Sequence, residues 1–193
     1  LRLPPDAIMW DLGAGSGAVS LEAARLLSKG RVVAVERQAE RVRHIKANVQ
    51  RTGAWLVEVA QASLEQFLEN GSYRTCGTHG TYNKAGQAQD GRGTCLEHTS
   101  HSSPPTHIFF GGGASAEVLT QCAALLSPGG RMVVAAVLLS TLETARTVIS
   151  RLGWPLTVHQ LMHHASSPLG DDLRLVPSNP VFLLETQKPS SDT

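Results

Sequence analysis

The sequence lacks most of the features that mark a membrane, secreted or nucleic-acid-binding protein. No apolar run reaches the ~20 residues needed to cross a bilayer. The opening stretch LRLPPDAIMW does not have the charged-then-apolar form of a signal peptide. Neither sign of charge is in excess: 17 Lys and Arg stand against 16 Asp and Glu, for a net charge of +1. A surface for nucleic acid or anionic lipid usually needs a cationic excess, so neither partner is expected. Cysteine is scarce, and three residues (Cys76, Cys95 and Cys122) are too few and too odd in number for a disulfide framework. No Ser-His-Asp order and no paired carboxylates suggest hydrolysis. The expectation is a cytoplasmic protein whose 193 residues form one sizeable domain. The chain starts at leucine, which suggests a piece of a longer protein.

What is present alternates between two periods. AIMWDLGAG, RVVAVE, WLVEVAQA, THIFFGGG, RMVVAAVLL, PLTVHQLMH and NPVFLLETQK read as seven strands. Between them, AVSLEAARLLSKG reads as a helix stopped by Gly30. AERVRHIKANVQRTG reads as an amphipathic helix with Val42, Ile45 and Val49 on one face and a stop at Gly53. SLEQFLEN has Ser63 as its N-cap, SAEVLTQCAALLSPGG ends at Pro-Gly-Gly with Cys122 as a small core residue, and STLETARTVISRLGW opens at Ser140 or Thr141. Alternating strands and helices imply a mostly parallel sheet covered on both faces. The last two strands have no strong helix between them, so they read as a hairpin placing an antiparallel strand at the sheet edge. The intervening HASSPLGDDLRLVPS reads as a loop able to lean over a ligand.

From Gly71 to about His107 the chain is rich in Gly, Ser, Thr, His and Gln, and it reads as a disordered insertion. It contains Cys76, His79, Cys95 and His98 as a repeated Cys-x-x-His pair, with His101 to spare. Two thiolates and two imidazoles are a possible zinc set. The surroundings offer little to pack, so no metal site is assigned.

The chemistry concentrates in WDLGAGSG. A strand ends at Asp11, Gly13, Gly15 and Gly17 follow at alternate positions, and a helix begins. Glycines permit a sharp turn and a close ligand approach at the switch point of an α/β sheet. A dinucleotide turn would have the spacing G-x-G-x-x-G and place a pyrophosphate at the helix N-terminus. Here the spacing is G-x-G-x-G, and a carboxylate stands where it would repel a pyrophosphate. S-adenosylmethionine, with its sulfonium and α-amino group and no phosphate, suits the site. Glu36 ends the next strand about twenty residues on, where a carboxylate can accept hydrogen bonds from both ribose hydroxyls. The plainer alternative is a packing turn with two surface carboxylates.

WDLGAGSGAVSLEAARL and VVAVE resemble the Rossmann-like class I methyltransferases. IFFGGGASAEVL, LLSPGGRMVVAAVLL and SNPVFLLE are similar to the cobalamin-pathway precorrin-6B C-15 methyltransferases, which are decarboxylating. The resemblance implies a mostly parallel seven-stranded sheet with an antiparallel edge strand. It implies that Asp11, Gly13, Ala14, Gly15 and Gly17 line the methionine part of S-adenosylmethionine, that Glu36 holds the ribose, and that Gln61 and Ala62 sit by the adenine. Gly111 would border the cofactor, and Gly112 and Gly113 the tetrapyrrole substrate. Arg174, with His163 and His164 nearby, is the candidate cation for the substrate's carboxylates. No catalytic side chain is assigned, because a reduced tetrapyrrole carbon is itself nucleophilic and positioning can supply most of the catalysis. The resemblance also implies a homo-oligomer, with a tetramer as the family's common form.

The chain departs from the family pattern at three places. Gln61 stands where an acidic residue is common, and Ala135 or Ala136 where an Asn is common. No Thr-Lys-Arg-like segment precedes the first strand, so cofactor binding without turnover is one expectation for this chain. Two rival readings stay open. One is a class I methyltransferase of tRNA or protein, disfavoured by the neutral charge and the lack of an Asn-Pro-Pro-Tyr-like signature. The other is a non-catalytic cofactor-binding domain.

Overall fold

The computed structural model describes residues 1–69 and 103–190. In chain order the elements are β1 (Ile8–Leu12), α1 (Ala18–Leu26), β2 (Arg31–Glu36), α2 (Ala39–Thr52), β3 (Val57–Gln61) and α3 (Leu64–Glu69). After the segment outside the described residues come β4 (His107–Phe110), α4 (Ala116–Leu125), β5 (Arg131–Ala136), α5 (Leu139–Arg151) and β6 (Leu156–Leu161). β7 (His164–Leu169), β8 (Asp172–Pro177) and β9 (Val181–Gln187) complete the chain. Seven strands form one mostly parallel sheet, as expected, and their order is β3-β2-β1-β4-β5-β9-β6. β3, β2, β1, β4 and β5 are mutually parallel.

The near-continuous apolar runs of these strands are buried on both faces. Successive residues of β2 divide between them: Val32 and Ala34 pack with Val42, Ile45 and Val49 of α2 and Ala23 and Ala24 of α1. Val33 and Val35 turn to the opposite face, where α3, α4 and α5 contribute Phe67, Leu119, Cys122 and Ile149. Trp10 meets Phe67 edge-on, with ring centroids 5.0 Å apart and planes at 85°. Burial pushes the Cys122 thiol up to about 12, so almost no thiolate forms at neutral pH. Alkylation of the native protein at pH 8 is therefore expected to leave Cys122 unmodified until denaturant is added, as peptide mass mapping would show. Labelling of Cys122 at the rate of a free thiol would contradict this packing.

Local signals account for several boundaries. Gly53 is left-handed at φ 69° and closes α2, as its position predicts. Ser115 Oγ accepts from the Val118 N–H at 3.2 Å and caps α4. Ser63 Oγ accepts from Gln66 N–H at 3.2 Å, while Gln66 Oε1 accepts from Ser63 N–H at 3.0 Å, a reciprocal capping box.

The structure corrects five sequence expectations. α1 ends at Leu26, and Gly30 is not its stop. A Cβ on Gly30 would lie 2.1 Å from the Ala7 carbonyl oxygen, so glycine is there to let the chain pass β1 closely. α5 opens at Leu139 with no side-chain cap from Ser140 or Thr141. The antiparallel strand is β9, which lies between β5 and β6 rather than at the edge. The stretch read as a loop is the hairpin β7–β8, a separate two-stranded sheet with Gly170 at φ 62° in the first of its two turn positions. Regular pairing resumes before His107, since Pro105 and Thr106 already accept from Ser127 and Arg131 N–H groups at 2.9 and 3.0 Å. The rest of the expected insertion, with Cys76, His79, Cys95, His98 and His101, lies outside the described residues.

Candidate active site

The chain runs outward from β1 through β2 to β3, then returns to place β4 on the other side of β1. That reversal is a topological switch point, and the loops after β1 and β4 part there. Both loops are rich in glycine. After β1, Gly13, Gly15 and Gly17 have φ of 78°, 60° and 83°, a backbone region costly for any residue with a Cβ. The Gly13 and Ala14 N–H groups both donate to Val35 O at 3.0 Å, folding the turn over β2. A Cβ on Gly17 would come within 3.0 Å of Ile45, whereas one on Gly15 would meet nothing within 4 Å. Gly17 thus serves the α1–α2 packing, and Gly15 presents bare backbone to open space. After β4, Gly111 N–H donates to Leu12 O at 2.8 Å. A Cβ on Gly111 would lie 2.6 Å from Gly13 O, so the two loops touch only because glycine stands there.

Glu36 ends β2 and is 5% exposed. Its Oε2 accepts from Gly15 N–H at 3.0 Å and its Oε1 from Gln38 N–H at 2.9 Å. Each oxygen keeps a further lone pair for a ligand hydroxyl. Asp11 is 1% exposed. Its Oδ2 accepts from Ser20 Oγ at 2.5 Å, while Oδ1 has no hydrogen-bond partner among the described residues. Burial pushes the Asp11 carboxyl up to about 6; the Ser20 bonds pull it down, and the Glu36 charge adds a smaller upward push. Neither carboxylate is a surface group, contrary to that part of the packing-turn alternative.

A cleft of about 350 Å³ opens beside Glu36. Of the residues expected at the site, it is lined by Gly13, Glu36, Ala62, Gly111, Gly112 and Gly113. Asp11, on β1, and Ala14, Gly15 and Gly17, in the turn after it, are not part of this lining. Gln61 pairs with Glu36 in the sheet register but is exposed and outside the lining. Arg174 lies exposed on β8, opposite Ser167, and with His163 and His164 it is not brought to the cleft. Arg37 and Arg41 do line it. Their signal was the step from Glu36 into α2, which carries the next residues along the cleft wall. Ser20 was also missed, because a single serine inside a helical pattern carries no periodic signal. A larger hollow of about 560 Å³ between α1 and α2 is bordered by Glu22, Arg25, Asn48 and Arg51. Those groups already pair, Arg25 with Glu22 at 3.2 Å and Arg51 with Asn48 at 3.0 Å, and the hollow is away from the switch point.

A parallel sheet with one reversed strand, a triple-glycine turn at its switch point and a carboxylate ending each of the first two strands define the architecture of the Rossmann-like methyltransferases. Residues 1–73 and 81–188 match the family model for the precorrin methyltransferase domain, and the chain belongs to that family. It is accordingly an S-adenosylmethionine-dependent methyltransferase. Among curated relatives, the cobalt-precorrin-6B C(15)-methyltransferase (decarboxylating) of Salmonella typhimurium is 25% identical over 181 residues, covering 92% of this chain and 77% of that protein. The precorrin-6Y C(5,15)-methyltransferase [decarboxylating] of Mycobacterium tuberculosis is 27% identical over 178 residues, covering 92% of this chain but 37% of that longer protein. The crystal structure of the precorrin-6y C5,15-methyltransferase of Geobacter metallireducens superposes with a TM-score of 0.74 at 25% identity, covering 97% of this chain and 84% of that one. Among the described residues, no helix is long and apolar enough to cross a membrane.

Proposed function

We propose that this chain methylates C-15 of a precorrin-6B-type tetrapyrrole and promotes loss of its C-12 acetate carboxyl as CO2, with S-adenosylmethionine bound at the β1–β4 switch point. The observation carrying this reading is the buried pair Asp11 and Glu36 flanking the Gly13–Gly17 turn in a chain of the precorrin methyltransferase family. The residues fit the cofactor. Asp11 Oδ1 is a buried acceptor in need of a donor, and Glu36 retains lone pairs beside a cleft with glycine walls. When bound, S-adenosylmethionine supplies an electrophilic methyl group for a nucleophilic ring carbon.

The chain's own part is to hold and orient. Glu36 accepts from the ribose hydroxyls, and Ala62 leaves room for the adenine at the end of β3. Asp11 faces the cationic methionine end through the glycine turn. Gly112 and Gly113 let the flat macrocycle approach without side chains in the way. The macrocycle is its own electron sink for decarboxylation, so no side chain is required to accept electrons. Arg174, on the hairpin, is the proposed partner of the substrate's carboxylates. The expected self-association has a candidate surface on the same hairpin, where Leu169, Leu173 and Leu175 are exposed.

The test is titration of the purified protein with S-adenosylmethionine and with NAD, followed by incubation with precorrin-6B. The expected result is binding of the methyl donor only, and a product that has gained one methyl group and lost one CO2. NAD binding in its place would overturn the cofactor reading, and a bound cofactor with no change in precorrin-6B would overturn the substrate. Glu36→Gln keeps the size of the side chain but gives up one acceptor and the charge. It is expected to weaken S-adenosylmethionine ~10- to 100-fold, the scale of a lost hydrogen bond to a charged group. Unchanged affinity would remove Glu36 from the ribose site.

A further inference from the structure

We propose that Ser20 is a positioning residue for the methyl donor: its hydroxyl pins Asp11 Oδ2 and so fixes the buried carboxylate whose charge faces the cationic end of the ligand through the glycine turn. The proposal rests on the reading of the switch-point cleft as an S-adenosylmethionine site.

Ser20 is the third residue of α1 and is 0% exposed. A buried serine within a helix usually satisfies its hydroxyl on the carbonyl one turn back. Here the Oγ reaches out of the helix instead, to a carboxylate nine residues earlier in the chain, at 2.5 Å. The same helix face contributes Ala23 and Ala24 to an apolar core, where a third alanine would pack equally well. The hydroxyl is therefore explained by Asp11 and not by the packing.

Asp11 gains direction from this bond. Without it only the Ser20 backbone bond would restrain the carboxylate. With it, one oxygen is committed and the other is presented unpartnered inside the protein. An unsatisfied buried acceptor calls for a specific explanation. Its surroundings select a cation. The sheet neighbours of Asp11 are Ala34 on β2 and Phe109 on β4, neither of them charged. The charged group that acts on it is the Glu36 carboxylate, which repels it. A cationic ligand on the far side of the glycine turn offsets this repulsion.

The Asp11 carboxyl, pushed up to about 6 by burial and drawn back by Ser20, adds a proton readout. A cation bound against it favours the ionised form. S-adenosylmethionine should then bind more weakly as the pH falls through 6, and binding near pH 6 should release protons.

The experiment is calorimetric titration of the parent, Ser20→Ala and Ser20→Thr with S-adenosylmethionine from pH 5 to pH 8, in buffers of different ionisation heat. Alanine is smaller and a better helix former, so Ser20→Ala folds; thermal melts verify this. The expected result for Ser20→Ala is an affinity ~3- to 30-fold weaker at pH 8, with the pH midpoint of binding moved upward. Ser20→Thr, which keeps the hydroxyl, restores both. A Ser20→Ala protein with the parent's affinity and midpoint overturns the role of Ser20 while leaving the cofactor reading intact. A parent that binds no S-adenosylmethionine overturns the cofactor reading, and this proposal with it.

Discussion

Asp11→Asn is expected to melt at a higher temperature than the parent at pH 7.5 while losing S-adenosylmethionine affinity by ~100-fold. Both effects come from one buried charge. The folded state raises the Asp11 carboxyl from its ordinary 3.8 to about 6, so it holds a proton more tightly than the unfolded chain does. Stability therefore falls as the pH rises between those two values, and the cost is complete above about 6. A shift of this size corresponds to about 3 kcal/mol. Asparagine carries no charge and escapes this cost. Its amide nitrogen takes the place of Oδ1 and finds no acceptor there, which returns about 1 kcal/mol. The net gain of about 2 kcal/mol corresponds to roughly 4–8 °C in a domain of this size. Below pH 4 the parent's Asp11 is protonated and the gain should vanish. Thermal unfolding of both proteins from pH 4 to pH 8 measures the difference. A gap in melting temperature that does not widen with pH would show that Asp11 is not ionised in a buried site. The affinity loss follows from the same change: the charge facing the cationic end of the ligand is gone, and a donor now points where an acceptor was.

The second large effect belongs to Gly111→Ala. The new methyl carbon would lie 2.6 Å from Gly13 O and 3.5 Å from the Gly13 carbonyl carbon. Both are backbone atoms of a turn already tied to Val35 O, so no flexible side chain can give way. The loops after β1 and β4 must separate, breaking the Gly111 N–H to Leu12 O bond between them. A cost of about 2–4 kcal/mol is expected from overpacking against a fixed backbone. Gly112→Ala is the control, because a Cβ there meets nothing within 4 Å. Urea unfolding should show a clear drop in midpoint for Gly111→Ala and little change for Gly112→Ala. Cofactor titration should show the same contrast, since the displaced loops are two walls of the cleft. Equal behaviour of the two variants would mean that the loops yield more easily than their hydrogen bonds suggest.

The sequence was most legible where local chemistry alone decides the outcome. Val42, Ile45 and Val49 followed by Gly53 specify a helix and its end, and α2 has both. The alternation of glycines after Asp11 predicts a sharp turn, and all three residues adopt a positive φ there. The hairpin β7–β8 was missed because Pro168 and Pro177 dilute its strand signal and neither of its strands joins the main sheet. The position of β9 was missed for a different reason. Which strand neighbours which is decided by packing across the whole sheet, and the residues of β9 look the same at an edge or one place inward. At the site, Gly13 and Glu36 could be read from motif spacing, and Gly111, Gly112 and Gly113 came from the family resemblance. Arg37 and Arg41 reach the cleft through the geometry of the β2–α2 turn, and Ser20 meets Asp11 only after α1 folds back on β1.

The place of β9 fixes an order of assembly. Among the described residues β6 pairs with β9 alone, and β9 stands between it and β5. During synthesis β6 leaves the ribosome well before residues 181–187, the strand it pairs with in the finished sheet. For that interval β5 offers an open row of N–H and C=O groups to any passing strand. β9 is thus the keystone of the sheet, and the growing chain is most exposed to mispairing until residues 181–187 have been made.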